Sequence, residues 1–112
     1  MTLARLVILG LADNELTTLD KRMFSMQTHL QILVLARNYI QDIKIRTFQA
    51  NQHLKFLDLS HNKLRVVQFG VFYGLKRLQG LNLSFCGIDI IQKQSLEPLH
   101  NLQVLDLRFN RI

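Results

Sequence analysis

The sequence places Asp58, Ser60 and His61 close together, and these are the residue types of a serine-hydrolase triad. A second serine and a second aspartate follow at Ser84 and Asp106. In such enzymes a histidine takes the serine proton while a carboxylate orients the histidine. Acyl transfer also needs donors that stabilise an oxyanion and a pocket that excludes water. The alternating strands and open wall predicted below supply neither. We therefore do not expect an enzyme.

Metal and thiol chemistry have similarly weak support. The histidines are His29, His53, His61 and His100, and the single cysteine is Cys86. His29 and His53 lie one repeat apart, but no cysteine accompanies them, so we predict exposed loop residues, no metal and no cofactor. A lone cysteine cannot form an internal disulfide, and a reactive thiol would need an exposed, electropositive setting.

The spacing of the leucines indicates which elements position these residues. LKFLDLSHNKL places leucine at positions 54, 57, 59 and 64, which matches neither a helix period of 3.6 nor a strand period of 2. The same pattern begins at residues 6, 30, 54, 78 and 102, always 24 residues apart. Residues 1–112 are therefore expected to be an array of five repeats, with the last cut off after Ile112.

Aligning the five units reveals columns with separate structural roles. One column reads Asn14, Asn38, Asn62, Cys86 and Asn110. Its side chains are predicted to turn inward and donate to main-chain carbonyls that the bending chain leaves unpaired, and a thiol can do so weakly. Phe24, Phe48 and Phe72 recur later in each unit and are expected to form the back wall of the core.

This pattern, L-x-x-L-x-L-x-x-N-x-L with a later aromatic, resembles the leucine-rich-repeat family. The resemblance implies an α/β solenoid in the shape of a horseshoe arc. A short parallel β-sheet would line its concave side, and the convex segments would be irregular or short-helical. Such arrays normally carry polar terminal caps, which this chain lacks, so we expect it to be a piece of a longer protein.

The period and the phrases LDLSHNKL and LNLSFCGI resemble the typical extracellular class, most closely a Toll-like receptor ectodomain. The resemblance implies a non-catalytic segment of a cell-surface receptor, on the extracellular side of the plasma membrane, that serves signal transduction in innate immunity. It would bind a protein or other macromolecular ligand, and a receptor dimer partner is also allowed. The alternatives are an intracellular scaffold in the cytoplasm, a leucine-rich-repeat G-protein-coupled receptor, or a matrix protein.

Neither a leader nor a membrane span is expected in this segment. The opening MTLARLVILGLA imitates a short secretion signal, but its leucines occupy repeat columns without a gap. No apolar run approaches the roughly 18 residues that span a bilayer.

Function is expected at the variable positions of the concave face, because the repeat itself does not require them. The candidate ligand-binding residues are Phe56, Asp58, His61, Asn82, Phe85, Asp106, Arg108 and Phe109. Phe85 and Phe109 should be lateral neighbours, where they either anchor a ligand or simply cover each other. Asn82 also begins the sequon Asn-Leu-Ser, so a glycan would project into the hollow of the arc.

The net charge of +6 raises the alternative of a nucleic-acid-sensing receptor segment. Its Lys and Arg residues fall mostly outside the strand columns, spread along the flanks and back, so nucleic acid is not the expected partner. Basic flanks that hold an anionic ligand remain the open alternative.

Overall fold

The computed structural model describes residues 5–112, and its main element is a five-stranded parallel sheet. Its strands are β1 (Ile8–Gly10), β3 (Ile32–Val34), β5 (Phe56–Asp58), β7 (Gly80–Asn82) and β9 (Val104–Asp106). The register joins Leu9, Leu33, Leu57, Leu81 and Leu105 in one row. Each three-residue strand is stable only through its neighbours, and the predicted solenoid is confirmed.

A second row of very short strands follows the turn after each of the first four front strands. These are β2 (Thr18–Leu19), β4 (Asp42–Ile43), β6 (Val66–Val67) and β8 (Ile90–Ile91). They form two separate parallel pairs, β2 with β4 and β6 with β8. The sequence predicted irregular or short-helical segments here, and a 3-10 helix at Lys21–Met23 follows β2, but two-residue strands carry no visible period and were missed.

The core lies between the front sheet and the back segments. The front strands contribute the buried side chains of Leu33, Leu57 and Leu81 to this core. The back segments contribute Phe48 and Phe72. The rings of Phe24 and Phe48 have centroids 5.8 Å apart, so the aromatic column forms a stack inside the solenoid. Within residues 5–112, no helix has the length and apolar character needed to cross a bilayer.

The asparagine column links successive turns. Asn62 Nδ2 donates to the carbonyl of Leu35 in the preceding turn at 3.0 Å, and to those of Leu59 and Ser60 in its own turn at 2.9 and 3.2 Å. Its Oδ1 accepts from the Ile40 amide at 3.0 Å. One buried carboxamide therefore forms hydrogen bonds with main-chain groups that lie outside the β-strands.

Cys86 occupies the same position with a different set of bonds. Its thiol donates to the carbonyls of Leu59 at 3.1 Å and Ser84 at 3.4 Å, and burial raises its pKa to about 11. A thiol offers no carboxamide oxygen, so the Leu64 amide lacks the acceptor that Asn38, Asn62 and Asn110 provide to Leu16, Ile40 and Ile88.

The chain beside Cys86 departs from the repeat. The Arg65 amide donates to the Cys86 carbonyl at 3.2 Å, and Arg65 adopts a left-handed conformation with φ of 60°. The row of short strands is interrupted here, between β4 and β6. Across the Leu64–Cys86 boundary itself β6 and β8 remain paired, and at the interrupted boundary the Ile40 amide keeps its Asn62 acceptor.

We expect Cys86→Asn to stabilise the chain by about 1 kcal/mol, the usual net value of one added intramolecular hydrogen bond. The carboxamide would give the Leu64 amide its acceptor and strengthen the bonds to the two carbonyls. Urea unfolding followed by circular dichroism measures the change, with Cys86→Ala as the control that removes the thiol and adds no acceptor. A Cys86→Asn midpoint at or below that of the unaltered chain contradicts the assignment.

Candidate ligand-recognition surface

The front face of the sheet carries a shallow apolar hollow of about 340 Å³. Phe56 forms much of it, with 48% of its surface exposed. Its ring lies over Gly80, where an added Cβ would come within 2.8 Å of the ring carbon Cδ1. Gly80 thus leaves room for the ring to lie flat across the neighbouring strand. The hollow is also lined by the exposed Val104 and by half-buried side chains, which are Ile32, Val34, Asp58, Asn82 and Asp106.

The polar column of the front face caps the turn that follows each strand. Oδ1 of Asp58 accepts from the Ser60 amide at 2.9 Å, and Oδ1 of Asn82 accepts from both the amide and the hydroxyl of Ser84. These short polar side chains therefore have a local structural role whether or not they meet a ligand. Binding by Asp58 and Asn82, and a glycan on Asn82, stay predictions.

The third member of this column is neutralised by its neighbour. Asp106 holds Arg108 in a bidentate pair, with Nε to Oδ1 at 3.0 Å and Nη2 to Oδ2 at 2.9 Å. The hydrogen bond from the Arg108 side chain, with that from its amide, lowers the pKa of Asp106. Both residues lie on the predicted surface, but they present one ion pair rather than two free charges.

His61, Phe85 and Phe109 form an aromatic stack along the edge where the front strands end. The ring centroids of His61 and Phe85 lie 4.3 Å apart at 11°, and those of Phe85 and Phe109 lie 4.4 Å apart at 13°. All three residues have left-handed backbones, with φ of 57°, 55° and 61°, a conformation uncommon for bulky side chains. The amides of His61 and Phe85 donate to carbonyls of the following turn, which fixes this conformation and aligns the rings.

The first two turns fill the same position with charges instead of rings. Arg37 Nε donates to Asp13 Oδ1 at 2.7 Å, and its Nη2 donates to Oδ2 at 3.0 Å. The edge therefore changes from an ion pair to an aromatic stack along the array.

The way the rings stack determines what a ligand can contact. Both faces of Phe85 are covered, by His61 on one side and Phe109 on the other, although 43% of its surface is exposed. A partner alongside the stack therefore meets the ring edges, which carry the positive part of the aromatic quadrupole. The spacing between rings leaves no gap in which another planar group could insert.

The serine and histidine residues do not assemble a hydrolase site. Ser60 and Ser84 are buried, and the His61 ring stacks on Phe85. In the region that the structure describes, no hydrogen bond joins Ser60 to His61. Geometry at this edge thus favours packing and capping over nucleophilic attack.

The other histidine pair lies at the opposite edge of the sheet. The rings of His29 and His53 are nearly parallel with centroids 6.2 Å apart, and His53 Nδ1 lies 2.6 Å from Arg77 Nη1. Across residues 5–112, no group of three or more His, Cys, Asp or Glu side chains converges. The pair extends a column of stacked polar side chains along the array.

Sequence reasoning missed two features. Phe69 and Tyr73 are exposed on the back, where Arg46 lies 4.5 Å from the Tyr73 ring centroid. Beside the aromatic stack, Lys63, Arg65 and Arg111 line one hollow of about 360 Å³, although the sequence placed the basic residues apart. Lys63 and Arg111 share the repeat position that Gly87 fills between them, so aligning the repeats carried a signal that sequence reasoning left unused.

Comparison with known proteins agrees with this architecture. The leucine rich repeat family matches residues 4–64, 28–88 and 53–112. A crystal structure of a TLR13–ssRNA13 complex superposes with a TM-score of 0.51 at 23% identity, covering 96% of this chain and 22% of that one. This likeness shows the fold alone, and the chain spans about a fifth of that protein's length. No curated protein matches the sequence.

The family match extends over more than half of the chain, and its period is the one that the paired leucine rows follow. The chain belongs to the leucine-rich-repeat family.

Proposed function

We propose that the chain is a non-catalytic recognition segment of a cell-surface leucine-rich-repeat receptor of the Toll-like kind, with a role in innate immune signalling. Its ligand is a macromolecule, in the first place a protein. The observation that carries this proposal is the aromatic stack, an exposed and pre-ordered set of rings at the edge of the front face. Rigid aromatic side chains anchor protein interfaces at low cost in conformational entropy.

The rest of the front face supports a protein ligand. The apolar hollow beside Phe56 offers a second anchor point, and capped polar groups surround it. An apolar centre with a polar rim is the usual composition of a protein interface. The Asp106–Arg108 pair would lie at that rim, where it fixes orientation more than affinity.

The double substitution Phe85→Ala with Phe109→Ala is expected to weaken ligand binding about tenfold or more, as for hot-spot aromatics. The chain, secreted as an Fc fusion, would first be screened against arrayed cell-surface and secreted proteins. Affinity for the partner would then be measured by surface plasmon resonance. Phe69→Ala with Tyr73→Ala is the matched control, because it removes two exposed aromatics from the back. Equal losses for the two pairs, or none for the first, contradict the proposal.

Location is tested separately with the full reading frame. A receptor predicts a secretion signal and a membrane span in the complete protein, and labelling of intact cells by a non-permeant biotin reagent. Protein that is labelled only after the cells are permeabilised favours the cytoplasmic scaffold.

Single-stranded RNA is the alternative ligand class. TLR13 was crystallised with ssRNA13, and this chain carries a net charge of +6 with three cations around one hollow. Binding to RNA would weaken steeply with salt, because neutralised phosphates release counterions.

A further inference from the structure

We propose that the basic hollow beside the aromatic stack is a docking site for an acidic peptide segment of a protein partner. It is formed by Lys63, Arg65 and Arg111, with Asn62, Cys86, Gly87 and Asp89 completing the wall. The inference deepens the proposed function and rests on it, because it gives the protein ligand a defined chemistry at one subsite.

The charge of the hollow is unbalanced. Three cations face one carboxylate, and Asp89 reaches only Arg65, at 3.9 Å. Lys63 lies with Nζ 5.5 Å from the Tyr39 ring centroid, a contact that orients the ammonium group and leaves its charge in place. Two of the three cations therefore lack an acidic partner among residues 5–112, and they would gain one from an anionic ligand.

The shape of the hollow allows backbone to approach closely. Gly87 lies in its wall at the turn position that Tyr39, Lys63 and Arg111 occupy in other repeats. An added Cβ at Gly87 would meet no atom within 4 Å, so the space above it is open. With no side chain there, an extended segment can lie between the cations of the flanking turns.

The adjoining aromatic stack gives the site its apolar part. Phe85 and Phe109 lie two residues before Gly87 and Arg111 respectively, so the ring edges and the hollow share one rim of the solenoid. Ring edges offer apolar contact to an aliphatic side chain and weak attraction to a carboxylate. The expected occupant is thus a peptide that combines acidic residues with a leucine or similar apolar residue.

The same geometry disfavours nucleic acid. Proteins that bind single strands without pairing stack bases on open aromatic faces. Here the rings occupy one another's faces at 4.3 and 4.4 Å. Phosphates would meet the cations, but the ring faces inside the stack are unavailable to bases, which leaves the end ring Phe109, 67% exposed, as the platform in this stack.

The test uses a short fluorescein-labelled peptide of glutamates around a central leucine pair. The whole chain is titrated into the peptide at physiological salt, and binding is followed by the fluorescence anisotropy of the peptide. The lysine version of the peptide and a uridine oligomer serve as comparison probes. Lys63→Gln with Arg111→Gln is expected to weaken binding of the acidic peptide about tenfold, since each charged contact at a partly open site contributes modestly. Lys21→Gln with Lys93→Gln removes the same charge from the back and should change affinity less than about twofold.

Three outcomes overturn the inference. They are no binding of the acidic peptide, equal losses for the two double variants, and tighter binding of the uridine oligomer than of the peptide at the same salt. The proposed function is tested by a different experiment, in which Phe85→Ala with Phe109→Ala is assayed for binding to the natural partner. If the natural partner no longer binds after those rings are removed but still binds Lys63→Gln with Arg111→Gln, the receptor role stands and this docking site is rejected.

Discussion

Phe48→Ala is expected to lower the free energy of unfolding by about 3 to 5 kcal/mol, the usual range for removing a buried phenylalanine ring. Phe48 is fully buried, and its ring centroid lies 5.8 Å from that of Phe24 in the preceding turn. Its removal leaves a cavity between adjacent turns, and the rigid stacking of repeats cannot collapse to fill it. The loss is therefore expected to spread beyond one repeat, because each turn is stabilised by its neighbours.

Urea unfolding followed by circular dichroism measures this effect. The control is Phe69→Ala, which removes the same ring from an exposed position on the back and should change stability by less than about 0.5 kcal/mol. If the two variants unfold at the same urea concentration, the aromatic column is not the source of stability that we assign to it.

Asn62→Ala is expected to destabilise the chain by about 3 kcal/mol. The variant leaves the amide of Ile40 without its acceptor in a buried setting, while the carbonyls of Leu35 and Leu59 each lose one of two side-chain donors and keep the other, Asn38 and Cys86 respectively. The one unpaired buried amide costs about 1 to 3 kcal/mol, and the lost bond at each of the two carbonyls adds to that cost.

The matched control is Asn14→Ala in the first described turn. Asn14 is exposed, and among residues 5–112 it donates only to carbonyls of its own turn, those of Leu11 and Ala12. Its loss should cost about 1 kcal/mol or less, as for an ordinary exposed hydrogen bond. Thermal unfolding of both variants decides the matter, and an Asn14→Ala effect as large as that of Asn62→Ala would show that links between turns add nothing.

The sequence predicts the front of this molecule well because the repeat leaves little freedom there. Leu33 must lie beside Leu57, since identical segments pair without a shift and their leucines share one buried row. The same logic makes Phe85 and Phe109 neighbours. Their stacking depends on a left-handed backbone at both residues, which no residue type in the sequence announces.

The back and the flanks were harder to predict for physical reasons. Strands such as Val66–Val67 are too short to show a period, and their pairing depends on how the preceding turn ends. Lys63 and Arg111 share a repeat position on either side of Gly87, but the alignment does not give the side-chain directions that bring them to one hollow with Arg65. The Cys86 thiol donates inward to the Leu59 carbonyl, and the left-handed backbone at Arg65, in the preceding turn, had no signal in the residue types.

The interrupted row of short strands has a mechanical consequence. Between the second and third turns the front sheet is continuous, while the backbone bonds that cross farther round are those of Lys63 to Ile40 and Arg46 to Gly70. Flexing the array across this boundary stretches fewer bonds than flexing it across the boundary on either side. Elastic compliance is therefore concentrated at this boundary, so the two halves of the arc splay there when a large ligand binds across the front face.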